Sequence, residues 1–147
     1  MFPTLADAYD RYIGRYSNQL ARQLMSMVGI AGGQRVLDVG CGPGSLTTAL
    51  VERLGPGSVS TVDPSEPYAK ACRTRAPGAG VVVARAQALP FPDGEFDVVL
   101  AQLVVNLLDD PEAGVREMAR VTLSGGVVAA AVWARDGMPL LRAFWDA

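Results

Sequence analysis

The sequence predicts a doubly wound α/β domain, a mainly parallel sheet of about five strands with helices on both faces and a helical segment in front. Three observations predict it. Short, nearly continuous apolar runs recur at residues 35–39, 58–62, 80–84, 96–100 and 127–133, the pattern of strands buried on both faces. Stretches of helical spacing separate most of them, so strand and helix alternate along the chain. A glycine-rich turn, Asp38-Val39-Gly40-Cys41-Gly42-Pro43-Gly44, completes the first run and opens the next helix.

Apolar residues at positions 5, 8, 9, 12, 13, 16, 20, 24 and 28 keep helical spacing. Gly14 interrupts them, giving two helices or one broken helix, and Gly32-Gly33 ends the segment. After the first strand, residues 46–54 form a helix stopped by Gly55-Pro56-Gly57. The second strand is followed by Ser65, which can cap a helix over 66–75. Ala76-Pro77-Gly78 closes that helix and leads to the third strand, with Val81-Val82-Val83 at its centre. The turn Pro92-Asp93-Gly94 enters the fourth strand. Pro111 suits the first position of a helix reaching about Val121. Ser124-Gly125-Gly126 then turns into the fifth strand, and an amphipathic piece over 139–145 follows.

A length of 147 residues suits one domain that buries roughly two-thirds of its unfolded surface. Half the residues are apolar and 19% are charged, an ordinary soluble mixture. A net charge of −2 leaves no electrostatic footprint for nucleic acid or an anionic membrane. The opening Met1-Phe2-Pro3-Thr4-Leu5-Ala6-Asp7 lacks the basic start and apolar core of a signal peptide. No apolar run approaches the roughly 20 residues of a membrane span, so a cytoplasmic location is expected. Cys41 and Cys72 are the two cysteines and histidine is absent, which excludes the usual structural zinc site; both cysteines are expected to be reduced and incidental. The lack of histidine also removes Ser-His-Asp and Cys-His chemistry. Catalysis in such a chain relies on placement, a carboxylate, a phenol or a partner's residues, and no catalytic residue is singled out.

The glycine turn has no side chains in the way, so a ligand can lie on its backbone N–H groups and on the following helix start. Asp63 ends the second strand, nineteen residues after Gly44. In a doubly wound sheet Asp38 and Asp63 share the carboxyl edge, where nucleotide ligands bind. Together they indicate an adenosine-containing cofactor. A dinucleotide fingerprint has glycine at its first, third and sixth positions. Counted from Gly40, this turn has glycine at the first, third and fifth, with Ser45 at the sixth, a modest argument against a nicotinamide cofactor.

Four blocks recur in order: Val36-Leu37-Asp38-Val39-Gly40-Cys41-Gly42-Pro43-Gly44; Val62-Asp63-Pro64-Ser65-Glu66; Ala88-Leu89-Pro90-Phe91-Pro92-Asp93-Gly94-Glu95-Phe96-Asp97; and Glu117-Met118-Ala119-Arg120-Val121 before Gly125-Gly126. This set resembles the class I S-adenosylmethionine-dependent methyltransferases of the small-molecule, type 11-like group. The resemblance implies a Rossmann-like sheet with an N-terminal helical cap, opened here by Tyr9-Asp10-Arg11-Tyr12 and Gly14-Arg15-Tyr16-Ser17. It implies that Asp38, Gly40, Cys41, Gly42 and Gly44 hold the methionine part of the cofactor. Asp63 would take both ribose hydroxyls, as a carboxylate with two acceptor oxygens can. Pro64 would pack on one adenine face, with Ala86, Gln87 and Leu89 on the other side. Ala101 and Gln102 would sit near the sulfonium and the substrate, and Arg15 and Tyr16 would reach the cofactor's carboxylate from the cap.

The chain departs from the family pattern in three places. Arg85-Ala86-Gln87 carries no carboxylate where an acidic residue commonly meets the adenine amino group, although the Gln87 amide oxygen can accept a bond. Asn106 stands where a histidine often follows the fourth strand. The family's sheet usually has seven strands, and five are readable here.

Asp97 reads as structural, and Glu117 with Arg120 as an i,i+3 surface pair. Trp133, Phe144 and Trp145 suit core or dimer packing better than a substrate floor, and Tyr9, Tyr12 and Tyr16 suit packing better than catalysis. The expectation is one domain over 1–147, with a cap over 1–30 and a C-terminally incomplete sheet core over 34–147. It would transfer a methyl group from S-adenosylmethionine to an O, N or C nucleophile of a small molecule, without a metal. A cofactor-binding module without a complete substrate site is the alternative, and a nicotinamide-dependent oxidoreductase a weaker one. The apolar fifth strand would be left as an open edge, so a homo-oligomer built through the C-terminal part is expected.

Overall fold

The computed structural model describes residues 13–134. Helix α1 (Arg15–Val28) leads to strand β1 (Val36–Val39), helix α2 (Ser45–Leu54), strand β2 (Val59–Asp63), helix α3 (Glu66–Arg75) and strand β3 (Gly80–Val83). Strand β4 (Phe96–Gln102), helix α4 (Pro111–Val121) and strand β5 (Thr122–Ala131) follow. The strands lie in the order β3-β2-β1-β4-β5, and every pairing is parallel. The chain reverses direction across the sheet between β1 and β4, the switch point at which such folds open a crevice at the strands' carboxyl ends.

Side chains alternate across the pleat, and this sorts the core into two layers. Val36 of β1, Val59 of β2 and Val98 and Leu100 of β4 pack with Ala21 and Leu24 of α1 and Leu46 and Leu50 of α2. Leu37, Val39, Val62 and Val99 face the other way, against Met118 and Val121 of α4. Leu50 is wholly buried, and such a side chain contributes roughly 1.5–3 kcal/mol relative to exposure. Phe91 meets Phe96 edge-on at 5.0 Å under the second layer.

Several element boundaries differ from the expectation. Helix α1 ends before Gly32-Gly33: Gly29 takes the left-handed conformation (φ 75°, ψ 45°), and its N–H caps Met25 and Ser26. Ser65 makes no side-chain cap for α3; its own N–H donates to Asp63 Oδ1 at 2.8 Å, so Asp63 shapes the helix entry. Helix α4 spans Pro111–Val121 as expected, with Asp110 Oδ1 accepting the Ala113 N–H. The largest difference is in β5, which begins at Thr122. Ser124-Gly125-Gly126 is an irregularity within the strand rather than a turn before it, with Phe96 paired to Thr122 but Val98 already paired to Val127. A Cβ on Gly126 would lie 2.6 Å from the Asp97 carbonyl oxygen, so glycine lets the two strands close there. The amphipathic piece over 139–145, Tyr9, Tyr12, Phe144 and Trp145 lie outside the described residues.

Asp97 is structural: its Oδ2 accepts the Arg35 N–H at 2.7 Å, tying the start of β4 to the start of β1. The Glu117–Arg120 pair is more than a surface contact. Arg120 donates to Glu117 Oε1 and Oε2, to Asp93 Oδ1 and to the carbonyls of Leu89 and Phe91. Glu117 Oε2 in turn accepts the Leu89 N–H at 2.8 Å. One guanidinium thus fastens the loop between β3 and β4 onto α4.

Candidate functional site

Strand β1 ends in the Gly40–Gly44 turn, which is stitched to β2: the N–H groups of Gly40 and Cys41 both donate to the Val62 carbonyl, at 2.8 and 3.1 Å. Gly40 has φ +75°, and a Cβ there would lie 2.5 Å from Val104 Cγ2. Only glycine satisfies both that backbone and that close approach. Asp63 closes the arrangement, with its Oδ2 accepting the Gly42 N–H at 2.8 Å. Each Asp63 oxygen accepts one backbone N–H, and a carboxylate oxygen has the capacity to accept a second bond.

A cavity of about 330 Å³ opens over this edge of the sheet. Of the residues expected to bind a cofactor, Gly40, Gly42, Asp63, Pro64, Ala86, Gln87 and Gln102 line it together. Gln102 is 9% exposed; its Nε2 donates to the Ser17 carbonyl of α1 at 3.1 Å, while its Oε1 is buried without a partner among the described residues. An unpaired buried amide oxygen is costly, and on a cavity-lining residue it suits a ligand that brings a hydrogen-bond donor.

The remaining candidates stand elsewhere. Ala101 is fully buried in the core layer, because β4 runs on to Gln102 instead of stopping at Leu100. Leu89 is likewise a core residue, held inward by the Glu117–Arg120 network. Cys41 is buried behind the turn. Arg15 and Gly44 border a second hollow, shared with Ser45 and Thr48 at the start of α2. Tyr16 is 58% exposed, with the Arg15 guanidinium over its ring at 5.1 Å.

Asp38 is the least exposed of the acidic candidates, at 1%. The pleat points it toward α2, where its Oδ2 accepts the Thr47 hydroxyl at 2.7 Å and its Oδ1 has no partner among the described residues. Burial pushes its carboxyl up to about 7, with the nearby Asp63 charge adding to the rise and the Thr47 bond opposing it.

The sequence reading stopped at Gln102 and so missed the wall that follows. Leu103, Val104, Leu107, Leu108 and Asp109 line the cavity, as do Tyr68 of α3 and Arg85. The rule that ligands sit beyond the carboxyl ends of strands, applied to the whole loop after β4, would have found the first five. Arg85 and Asp109 pair across the rim at 2.6 Å, both largely exposed. Among the described residues no group of histidine, cysteine, aspartate or glutamate could hold a metal ion.

The family model described as a methyltransferase domain matches residues 37–130, which run from the first glycine-turn strand to the fifth strand. The chain belongs to the class I S-adenosylmethionine-dependent methyltransferases. Within that family it is 32% identical to a ubiquinone/menaquinone biosynthesis C-methyltransferase of Ectopseudomonas mendocina, over 99% of this chain and 61% of the relative. It is 30% identical to a malonyl-[acyl-carrier protein] O-methyltransferase of Pseudescherichia vulneris, over 99% of this chain and 57% of the relative. The chain therefore spans about three-fifths of the length of these curated methyltransferases. In structure it is similar to a Haloferax volcanii methyltransferase solved in complex with the Trm112 methyltransferase activator. The TM-score is 0.77 at 26% identity, covering 86% of this chain and 57% of that one. A methyltransferase from Aquifex aeolicus, with TM-score 0.78 at 20% identity and coverage of 95% and 77%, shares the fold.

Proposed function

We propose that the chain binds S-adenosylmethionine across the cavity and transfers its methyl group to an O, N or C nucleophile of a small molecule, releasing S-adenosylhomocysteine. The observation that carries this is the closure of Asp63 on the Gly42 N–H at the cavity wall, which sets a carboxylate beside a turn without bulky side chains; the N–H groups of Gly40, Cys41, Gly42 and Gly44 are themselves spent within the protein, so the turn offers a ligand its surface rather than the open donors expected from the sequence. Asp63 would accept the ribose hydroxyls, Pro64, Ala86 and Gln87 would border the adenine, and Gln102 would face the reacting end. Asp38, Cys41 and Gly44 would act from behind the turn, fixing its shape for the methionine part. Arg15, with Tyr16 beside it, would meet the carboxylate from the second hollow. The bound cofactor supplies an already activated methyl group. What falls to the protein is orientation and approach distance, which suits a chain without histidine.

Isothermal calorimetry with S-adenosylhomocysteine and with NADH tests the binding half: the first should bind far more tightly, and the reverse order overturns the proposal. Turnover of labelled S-adenosylmethionine with small-molecule acceptors tests the chemistry. The alternative reading is a cofactor-binding module without a complete substrate site. Tight cofactor binding with no transfer to any acceptor would select it.

The domain is proposed to run over 1–147, with a cap over 1–30 and the sheet core over 34–147. A homo-oligomer through the C-terminal part is supported by β5, which among the described strands pairs only with β4 and exposes Val127 and Val128. Sedimentation at micromolar concentration should show a dimer or larger species, and a monodisperse monomer would exclude it. No helix of the described residues is long and apolar enough to cross a membrane; a cytoplasmic site of action is proposed, with no nucleic-acid partner.

A further inference from the structure

Gln102 ends β4 on the face turned toward α1 and α2, in line with Val98 and Leu100 of the core layer on that side. Val39 lies opposite Val62 and Asp38 opposite Leu100. Continuing that parallel register puts Gly40 between Asp63 and Gln102 at one level of the sheet. All three line the cavity, and two strand spacings, roughly 10 Å, separate Asp63 from Gln102. A ligand held at Asp63 and extended across Gly40 therefore ends at Gln102. The same side chain reaches out of the sheet, with its Nε2 donating to the Ser17 carbonyl at 3.1 Å in the first turn of α1. A carbonyl only accepts, so the amide nitrogen must face Ser17 and the amide oxygen must face away from it. That oxygen is buried and has no partner among the described residues. The middle of α1 is fixed by Ala21, Leu24 and Met25 in the core. Its first turn, with Arg15 and Tyr16 exposed, is tied to the sheet by the Gln102 amide.

We propose that Gln102 is a positioning residue that couples a ligand in the cavity to the first turn of α1, steadying the turn that carries Arg15 when the cavity is filled. The amide has two arrangements. In the one seen, the Ser17 bond is made while the amide oxygen is left orphaned, and an unpaired buried acceptor is costly. In the other, the amide turns into the cavity, where water satisfies both of its ends and the Ser17 carbonyl loses its donor. A ligand removes the second arrangement by displacing that water, and favours the first by bringing a donor to Oε1. The amide is thus a two-state element whose equilibrium the cavity and the helix both bias. Arg15 stands two residues before Ser17, so the bond secured at one end of the ligand steadies the guanidinium proposed to meet its carboxylate. The coupling rests on the proposed cofactor site, because it needs a ligand that reaches from Asp63 to Gln102. S-adenosylhomocysteine, with its amino-acid arm, is such a ligand.

Amide hydrogen exchange read by mass spectrometry, on the full chain with and without saturating S-adenosylhomocysteine, tests this. Over residues 15–22 the ligand should slow exchange roughly tenfold, the effect of relieving one unpaired buried oxygen. Gln102→Leu removes both ends of the amide, whereas Gln102→Glu keeps an acceptor for the ligand and has no donor for Ser17. Calorimetry should show both variants still binding the ligand through Asp63, more weakly, with exchange over 15–22 the same in its presence and absence. A purely structural bond would slow α1 equally in both states, so the difference made by the ligand is the deciding readout. Nuclear magnetic resonance of the wild-type chain gives a second measure that needs no variant: the Gln102 side-chain amide protons should exchange more slowly once the ligand is bound. A wild-type chain that binds S-adenosylhomocysteine with no change in either measure overturns the coupling, as does ligand-induced slowing of α1 that survives in either variant. Loss of binding in both folded variants would make Gln102 a ligand contact and also overturn it. If the wild-type chain binds no S-adenosylhomocysteine, the cofactor reading fails and the coupling with it; binding without coupling leaves that reading intact.

Discussion

Asp63 Oδ2 and the Gly42 N–H meet at 2.8 Å, so the carboxylate at the end of β2 holds the turn at the end of β1. Its Oδ1 meanwhile holds the Ser65 N–H. One side chain therefore shapes two stretches of the cavity edge.

Asp63→Ala should cost much more affinity for S-adenosylhomocysteine than Asp97→Ala. The first removes a charged acceptor from the cavity and releases the turn, with charge-assisted bonds worth roughly 1.5–3 kcal/mol each. The second breaks only the bond to the Arg35 N–H, remote from the cavity. It should lower the urea midpoint while leaving affinity within about twofold. Calorimetry and urea unfolding on both variants measure the two effects, and weaker binding by Asp97→Ala would misplace the site.

Gly40→Ala should abolish tight binding. The substitution forces a side chain onto a φ of +75° and against Val104, at a cost of about 1–3 kcal/mol from the backbone alone. Pairing it with Val104→Ala relieves the contact but not the φ, so the double variant should regain part of the stability. Thermal melts of the single and double variants give the comparison, and equal melts would show that the contact is not the cause.

Stability should fall as pH rises from about 4 to about 7. Asp38 in the folded chain keeps its proton up to about 7, whereas in the unfolded chain it loses it near 3.8. Through that window the native state binds one more proton, so its advantage is full below pH 4 and lost above pH 7. Each unit of the gap is worth about 1.4 kcal/mol. Asp38→Asn resembles the protonated acid at every pH and should remove this slope. Urea unfolding at pH 5 and pH 8 should show a loss on the order of 2 kcal/mol larger in the wild-type chain than in Asp38→Asn.

Arg120→Lys should destabilise the chain by about 1–2 kcal/mol. Lysine keeps the charge but cannot span Glu117, Asp93 and two carbonyls with a planar fork. Asp93→Ala, at a carboxylate 82% exposed, should cost under about 0.5 kcal/mol. Denaturant midpoints of the two variants check the ranking.

What was legible in the sequence were the features that local chemistry encodes. Pro111 placed the start of α4, the apolar runs placed the strands, and alternation of strand and helix implied the parallel sheet. The glycine turn and Asp63 pointed to the cavity because strand ends converge by topology alone. Contacts closed over long separations were not legible. Nothing near Glu117 in sequence shows that its partners include Leu89, twenty-eight residues away. Ser124-Gly125-Gly126 carries turn residues, and only the register against β4 makes it a bulge. Asp38 and Ala101 were placed beside the ligand from their neighbours, whereas their depth depends on the packing of α2 and on how far β4 extends.

Leu103 is the only non-glycine among the described residues with a positive φ, at 62°. Its N–H donates to the Ala131 carbonyl at 2.7 Å, and its side chain stands in the cavity wall. The last residue of β5, an outer strand among those described, is thus the peg that keeps a strained leucine in place. Fraying of β5 from its far end would free that backbone first, and the leucine would relax toward an ordinary conformation and leave the wall. The cavity's shape is therefore only as durable as the hold on Ala131, and a rim strand that looks peripheral sets how long the binding surface persists.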